Sequence, residues 1–182
     1  MPNHKPINAS QINLTQLMLP SHANFSGKIH GGYILSLMDQ VAFACASKHS
    51  ENYCVTASVN KVDFLNPIEV GELVTLKASV NYTGRTSMVV GVRVESENIQ
   101  TGVIKHCNSS YFTMVSKNDD GKNVAVPGII LQTNDDVRRF VRSMKRQEQS
   151  RERANSFKED EFKMDTYVDL LNDQNVSLNL NP

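Results

Sequence analysis

The sequence predicts an α+β domain in which a meander of antiparallel strands wraps one long, buried helix. Three observations predict it. Tyr33 to Lys48 holds Ile34, Leu37, Met38, Val41, Phe43 and Cys45 among other apolar residues and no proline or glycine; that is a helix apolar nearly all round, and so a buried one. Four later segments alternate apolar and polar residues, the period of a strand. The joints between those segments are short and rich in turn residues, which makes them hairpins and the sheet antiparallel.

Residues 1 to 23 form a polar, proline-bearing lead-in whose patch at Leu14 to Leu19 is a candidate strand. Gly31-Gly32 opens the helix. After a polar turn at Ser50 to Asn52, Val55, Ala57 and Val59 alternate with Thr56, Ser58 and Asn60, and Asn66-Pro67 closes the run. Leu73 to Tyr82 puts Val74, Leu76, Ala78 and Val80 on one face; Gly84 marks a turn; Met88 to Glu97 does the same with Val90, Val92 and Val94. Ile104 to Val115 is the fourth strand, ended by Asn118-Asp119-Asp120-Gly121. From Asp135, Val137, Phe140, Val141 and Met144 recur at helical spacing, which predicts a helix over 135–160 with one narrow apolar stripe, packed on its own sheet or on a neighbouring subunit. The Asn-rich end reads as disordered. The expected organisation is a lead-in over 1–23, one domain over 24–130, and a C-terminal helix and tail over 131–182.

Nineteen basic residues balance nineteen acidic ones in 182. The molecule therefore presents no long-range field to draw it to nucleic acid or an anionic membrane, and neither is expected as a partner. Three cysteines, Cys45, Cys54 and Cys107, lie in apolar or strand-like surroundings without CxxC spacing, which points to a reducing, cytoplasmic setting. No apolar run approaches the length that spans a bilayer, and the first residues lack a secretory pattern.

Asp39 is the oddity. A carboxylate amid Leu35, Leu37, Met38, Val41 and Phe43 costs several kcal/mol if it is buried without partners. Three readings compete: a structural group at a solvent notch, which is the commonest fate of a lone mid-helix aspartate; a general base or nucleophile tuned by apolar surroundings; and a metal ligand, disfavoured because no histidine or second carboxylate stands at i+3 or i+4. The segment before the helix bears on the choice. Asn24, His30, Gly31 and Gly32 lie at the helix start, where unpaired N–H groups favour negative charge and could hold an oxyanion. Taken singly, each has a blander explanation: glycine pairs serve turns, asparagine caps or turns, and histidine caps or packs.

Taken together, five blocks carry a specific resemblance. They are Ala23-Asn24-Phe25-Ser26-Gly27-Lys28-Ile29-His30-Gly31-Gly32; Leu37-Met38-Asp39-Gln40-Val41-Ala42; Val55-Thr56-Ala57-Ser58-Val59 with Asp63-Phe64-Leu65-Asn66-Pro67; Val70-Gly71-Glu72; and Thr83-Gly84-Arg85-Thr86-Ser87-Met88. In this order they closely resemble the hotdog-fold acyl-CoA thioesterases of the cytosolic acyl-CoA hydrolase type, over residues 23 to 88 and, with Val126-Pro127, to about 128.

The resemblance implies a hotdog domain that hydrolyses acyl-CoA to free acid and coenzyme A. In that family the carboxylate matching Asp39 activates water or attacks the thioester, and the amide matching Asn24 comes from the partner subunit. Gly31 and Gly32 then stand as oxyanion donors, with Thr56 and His30 positioning substrate. Arg85, Thr86 and Ser87, with Lys122, are the expected grip on coenzyme A phosphates, because a guanidinium, hydroxyls and turn amides occur there together; the basic run from Arg138 to Arg153 is a further candidate, although a solvated helix face explains it equally. No metal and no cofactor beyond the coenzyme A of the substrate is implied. A homodimer is the minimum assembly, and family members of this length often form trimers of dimers. Two other readings stand beside hydrolysis: a non-catalytic acyl-CoA sensor, and a hotdog dehydratase or hydratase, which wants a paired histidine and carboxylate that the helix does not offer.

Overall fold

The structure is a computed structural model, and it describes residues 3–156, 167–168, 171 and 174–179. Most of the Asn-rich end, and residues 157–160 of the expected C-terminal helix, lie outside the described residues. The chain divides into two compact units, Met1–Met144 and Lys145–Pro182.

In the first unit the strands are β1 (His4–Pro6), β2 (Ile12–Leu17), β3 (Tyr53–Val59), β4 (Asp63–Phe64), β5 (Leu73–Thr83), β6 (Ser87–Glu97), β7 (Ile104–Lys117) and β8 (Gly128–Ile130), and the central helix is α1 (Gly31–Ser50). A second helix, α2 (Asn134–Ser156), begins in the first unit. The main sheet runs β2-β5-β6-β7-β3, with β4 also on β7, all antiparallel; β1 and β8 form a separate parallel pair. The four expected strands are present, and the last three follow one another as hairpins, β5-β6-β7, but the first, β3, pairs with β7 and not with β5, because α1 and the long β3–β5 connection carry it to the far edge of the sheet. The lead-in patch is a true strand, β2, pairing with β5 from Ile12↔Ala78 to Leu17↔Leu73.

Alternation sets which face is buried. Val74, Leu76, Val80, Val90, Val94, Phe112 and Met114 are fully buried against α1, whose Ile34, Met38, Ala42, Cys45 and Ala46 fill the other side. Removing such side chains from water is the main stabilising term. The outer face admits little variation at Gly91, because a Cβ there would collide with the Asn81 amide and press on Tyr111.

α1 is longer than Tyr33 to Lys48 by two residues at each end. Gly31 and Gly32 form its first turn, capped by His30, whose Nδ1 accepts from Gly32 N–H at 3.0 Å. Glu51 ends it in the left-handed conformation, φ 58°, its N–H bonding Ser47 O. Nor is the helix buried all round: Gly32, Ser36, Gln40 and Phe43 form an exposed stripe, because the sheet of one chain wraps only part of it. In the C-terminal apolar stripe, Phe140 packs on Tyr82 of β5 with ring centroids 5.2 Å apart, so this residue lies against its own sheet, while Val137 and Val141 remain exposed.

Candidate active site

The Ser50 to Asn52 turn returns the chain as β3, antiparallel to α1 and beside it. That places Thr56 opposite Asp39, and Thr56 Oγ1 donates to Asp39 Oδ1 at 2.6 Å. Asp39 is half-buried, so the cost of a fully buried charge does not arise, and one of its carboxylate oxygens accepts from a hydroxyl. The pair stands at one end of a cavity of about 490 Å³ lined by Asp39, Gln40, Phe43, Tyr53, Cys54, Val55 and Thr56.

Asn24, His30, Gly31 and Gly32 gather at the other end of α1. Asn24 Oδ1 accepts three hydrogen bonds, from Ser26 N–H at 3.0 Å, Ser26 Oγ at 2.7 Å and Lys28 N–H at 3.2 Å. Gly27, at φ 77°, supplies the left-handed residue that the tight loop needs, and its N–H bonds Asn24 O. With the oxygen saturated, the side chain offers a ligand its two Nδ2–H donors. Gly32 N–H is spent on the His30 cap, so of the two expected oxyanion donors the amide of Gly31 is the one that this cap leaves over. Phe64 lies against Gly31, within 3.2 Å of where a Cβ would sit.

Gly31 and Asp39 do not meet within one chain. Eight residues of helix separate Gly31 from Asp39, a rise of about 12 Å. Arg85 and Thr86 occupy the β5–β6 turn, and Ser87 is the first residue of β6. The register Val55↔Val115↔Ser87 sets Ser87 two strands from Val55, about 10 Å. Arg85 is exposed, its carbonyl accepting from Val126 N–H at 3.0 Å. Lys122 stands in the turn that follows β7, its N–H bonded to Asn118 Oδ1. The expected phosphate ligands are thus near the Thr56 end of the sheet, with Lys122 in the turn beyond Lys117, the partner of Tyr53.

Arg138, Arg139 and Arg142 line a second cavity, about 580 Å³, with Lys77 and Arg93 on the outer face; it shares no residue with the Asp39 cavity. Arg138 and Arg139 are partly neutralised there by Asp135. Sequence reasoning passed over Gln40, Phe43 and Tyr53, although i+1 and i+4 from Asp39, and the strand residue three before Thr56, mark the same groove.

Neither Cys45 nor Cys107 competes as a nucleophile by its ionisation. Burial pushes the Cys45 thiol up to about 12, and burial raises Cys107 as well, so both are protonated at neutral pH. All three cysteines are free and buried. Among the described residues no cluster of three metal-ligating side chains occurs, and no helix is long and apolar enough to cross a membrane.

Comparison with known proteins places this geometry. The model of the thioesterase superfamily matches residues 26–103. Protein VdlD of Helicobacter pylori is 42% identical over 139 residues, covering 76% of this chain and 79% of that protein. The cytosolic acyl coenzyme A thioester hydrolase of Rattus norvegicus is 33% identical over 76% of this chain, which spans 37% of that longer protein. Among solved structures, an apo-hexameric acyl-CoA thioesterase superposes with a TM-score of 0.81 at 38% identity over 83% of this chain and 97% of that one. The acyl-CoA hydrolase of Staphylococcus aureus, solved with butyryl coenzyme A, coenzyme A and coenzyme A disulfide, gives 0.79 at 28% identity over 85% and 94%. On these grounds, and with its curled antiparallel sheet around α1, the chain belongs to the thioesterase superfamily and has the hotdog fold.

Proposed function

We propose that the protein hydrolyses acyl-CoA thioesters to the free carboxylic acid and coenzyme A, with Asp39 of one protomer and Asn24 of another sharing each site. The observation that carries this reading is the Thr56–Asp39 hydrogen bond of 2.6 Å at the end of an open groove. Thr56 fixes one carboxylate oxygen and leaves the second to take a proton from water. The water oxygen attacks the thioester carbon, and negative charge develops on the carbonyl oxygen. Asn24 Nδ2–H and the Gly31 amide are the donors aimed at that charge, because Asn24 Oδ1 is already occupied by its own loop. Collapse breaks the C–S bond, and the thiolate leaves with the proton that Asp39 took. A thioester asks little more, since its carbonyl is weakly resonance-stabilised and its leaving group is good. Water is the only co-substrate, and no metal or cofactor enters.

Solved alanine variants of the Staphylococcus aureus hydrolase change an asparagine, an aspartate and a threonine. These three stand at the same separations along their chain as Asn24, Asp39 and Thr56 here, which supports assigning this trio to the site. Arg85, Thr86, Ser87 and Lys122 hold the phosphates of coenzyme A in this reading, and His30 shapes the Gly31 turn. A homodimer is the working unit and a trimer of dimers the working assembly, in line with a hexameric relative. A cytoplasmic setting fits the three free cysteines.

The test follows thiol release from acyl-CoAs by wild type, Asp39→Ala and Asn24→Ala. Loss of the base should lower kcat by about 10²–10⁴-fold, and loss of the amide by about 10²–10³-fold. A wild type that binds acyl-CoA and releases no thiol would be a sensor, and the hydrolase reading would end there.

A further inference from the structure

The geometry points to a limit on acyl-chain length, set by Phe43 and Tyr53; this inference rests on the hydrolase reading above. α1 and β3 face each other as a ladder. One rung is Asp39–Thr56, where the chemistry is placed. The next, one helical turn further on, is Phe43–Tyr53, whose rings meet edge to face with centroids 5.7 Å apart and planes at 62°. Both rungs line the same cavity, whose lining is completed by buried Cys54, part-buried Val55 and exposed Gln40.

These rings are not committed to the core. Phe112, which is, has 1% of its surface exposed, whereas Phe43 keeps 39% and Tyr53 61%. An apolar pair left open at the end of a groove that begins at a hydrolytic carboxylate is fitted to an apolar group arriving from that carboxylate. The acyl chain of the substrate is such a group.

The distance sets the length. Phe43 lies four residues beyond Asp39, about 6 Å along the helix. An extended chain advances about 1.2 Å per single bond, as polypeptide backbone does, so roughly five bonds fill the interval. A chain of about six carbons therefore reaches the rings, and a longer one must bend away or push them aside. Up to that point each methylene leaves water for an apolar wall, which is worth up to about fourfold. Beyond it the gain stops.

The experiment measures kcat/KM for acetyl-, butyryl-, hexanoyl-, octanoyl- and dodecanoyl-CoA. Wild type should rise with each methylene to about hexanoyl and then level off or fall. Phe43→Ala should shift the break to longer chains and raise the dodecanoyl-to-butyryl ratio by about tenfold or more. Phe43→Leu shortens the side chain while keeping apolar surface, so it should move the break the same way even if the alanine variant does not fold. Tyr53→Phe keeps the ring and should keep the wild-type break. A wild-type profile with no break overturns the limit. So does an unmoved profile in folded Phe43→Ala or Phe43→Leu, above all if sedimentation then shows a weakened dimer, since the rings would be a protomer contact. Absence of thiol release from every acyl-CoA fails the hydrolase reading itself, a result distinct from either of these.

Discussion

Asn24 is held by its oxygen and offers its nitrogen. Three donors converge on Oδ1 from Ser26 and Lys28, which closes the loop ahead of α1 and fixes the direction in which Nδ2 points. A side chain used in this way is preorganised, so its donors are oriented before substrate arrives. Aspartate at this position separates the two duties. Asn24→Asp keeps the acceptor that holds the loop but replaces the donating nitrogen by a second anionic oxygen. The variant should retain the wild-type melting temperature and lose about 10²–10³-fold in kcat. Full activity in a folded Asn24→Asp would show that the amide does not donate to the carbonyl. Asp39 differs in that its partner is a single hydroxyl, and its position at the edge of the helix, half-buried, is what makes a lone mid-helix carboxylate tolerable.

At the scale of elements, the end of α1 is tied to the lead-in by His49. Its side chain is fully buried, with Nε2 3.1 Å from Pro127 O and Nδ1 3.2 Å from Ser10 Oγ. A carbonyl only accepts, so Nε2 carries the proton, and neutral Nδ1 accepts from the Ser10 hydroxyl. Lys5 bonds His49 O at 2.8 Å and pairs with Glu51 at 2.6 Å, which makes these the charged groups nearest the ring. Burial holds His49 below the ordinary histidine value, with Lys5 adding to that and the Pro127 bond and Glu51 opposing it. Unfolded chain then binds a proton near pH 6.5 where folded chain does not, so stability is fully present above about 6.5 and falls as pH drops toward the depressed folded value. Thermal melts should show the melting temperature declining from about pH 7 to 5.5, and His49→Gln should flatten that decline. The carboxylates lowered by cationic partners, Glu51 by Lys5, Glu95 by Lys77 and Arg93, and Asp135 by Arg138 and Arg139, act in a separate and more acid window. An equal slope in His49→Gln would remove His49 as its cause.

The elements also show what sequence pattern can carry. Alternation in Leu73–Thr83 and Ser87–Glu97 displays the sheet because one face is buried along the whole strand. β4 and β8, two and three residues long, are too short for a period to register. Apolar content made α1 look enclosed, since Ser36, Gln40 and Phe43 leave open a stripe that one chain does not cover and composition cannot reveal. Asp39 and Thr56 were legible through blocks of residues, and their contact follows from the short turn that folds β3 back on α1. Phe43 was read as part of a buried helix because an aromatic in an apolar helix usually is core, and Tyr53 stands ahead of the alternating run that marks β3.

For the whole molecule, the open places are consistent with one another. β3 is an edge strand, with no strand on its outer side among the described residues, and the exposed stripe of α1 lies beside it. Val59, Phe64 and Leu65 add exposed apolar surface near the same edge. An open edge with apolar flanks is a site for pairing, and a two-fold axis there would present the start of one α1 to the middle of the other. The 12 Å of helix between Gly31 and Asp39 is then an advantage, because each protomer contributes opposite ends of two sites. In the proposed shared site neither half acts alone.

Co-refolding equal amounts of Asp39→Ala and Asn24→Ala tests this directly by thiol release. Each variant alone should be nearly inactive, and random pairing gives half the dimers one intact site, so the mixture should recover about a quarter of wild-type activity. A mixture no more active than its two components would place Asn24 and Asp39 in the same chain's site and contradict the shared one.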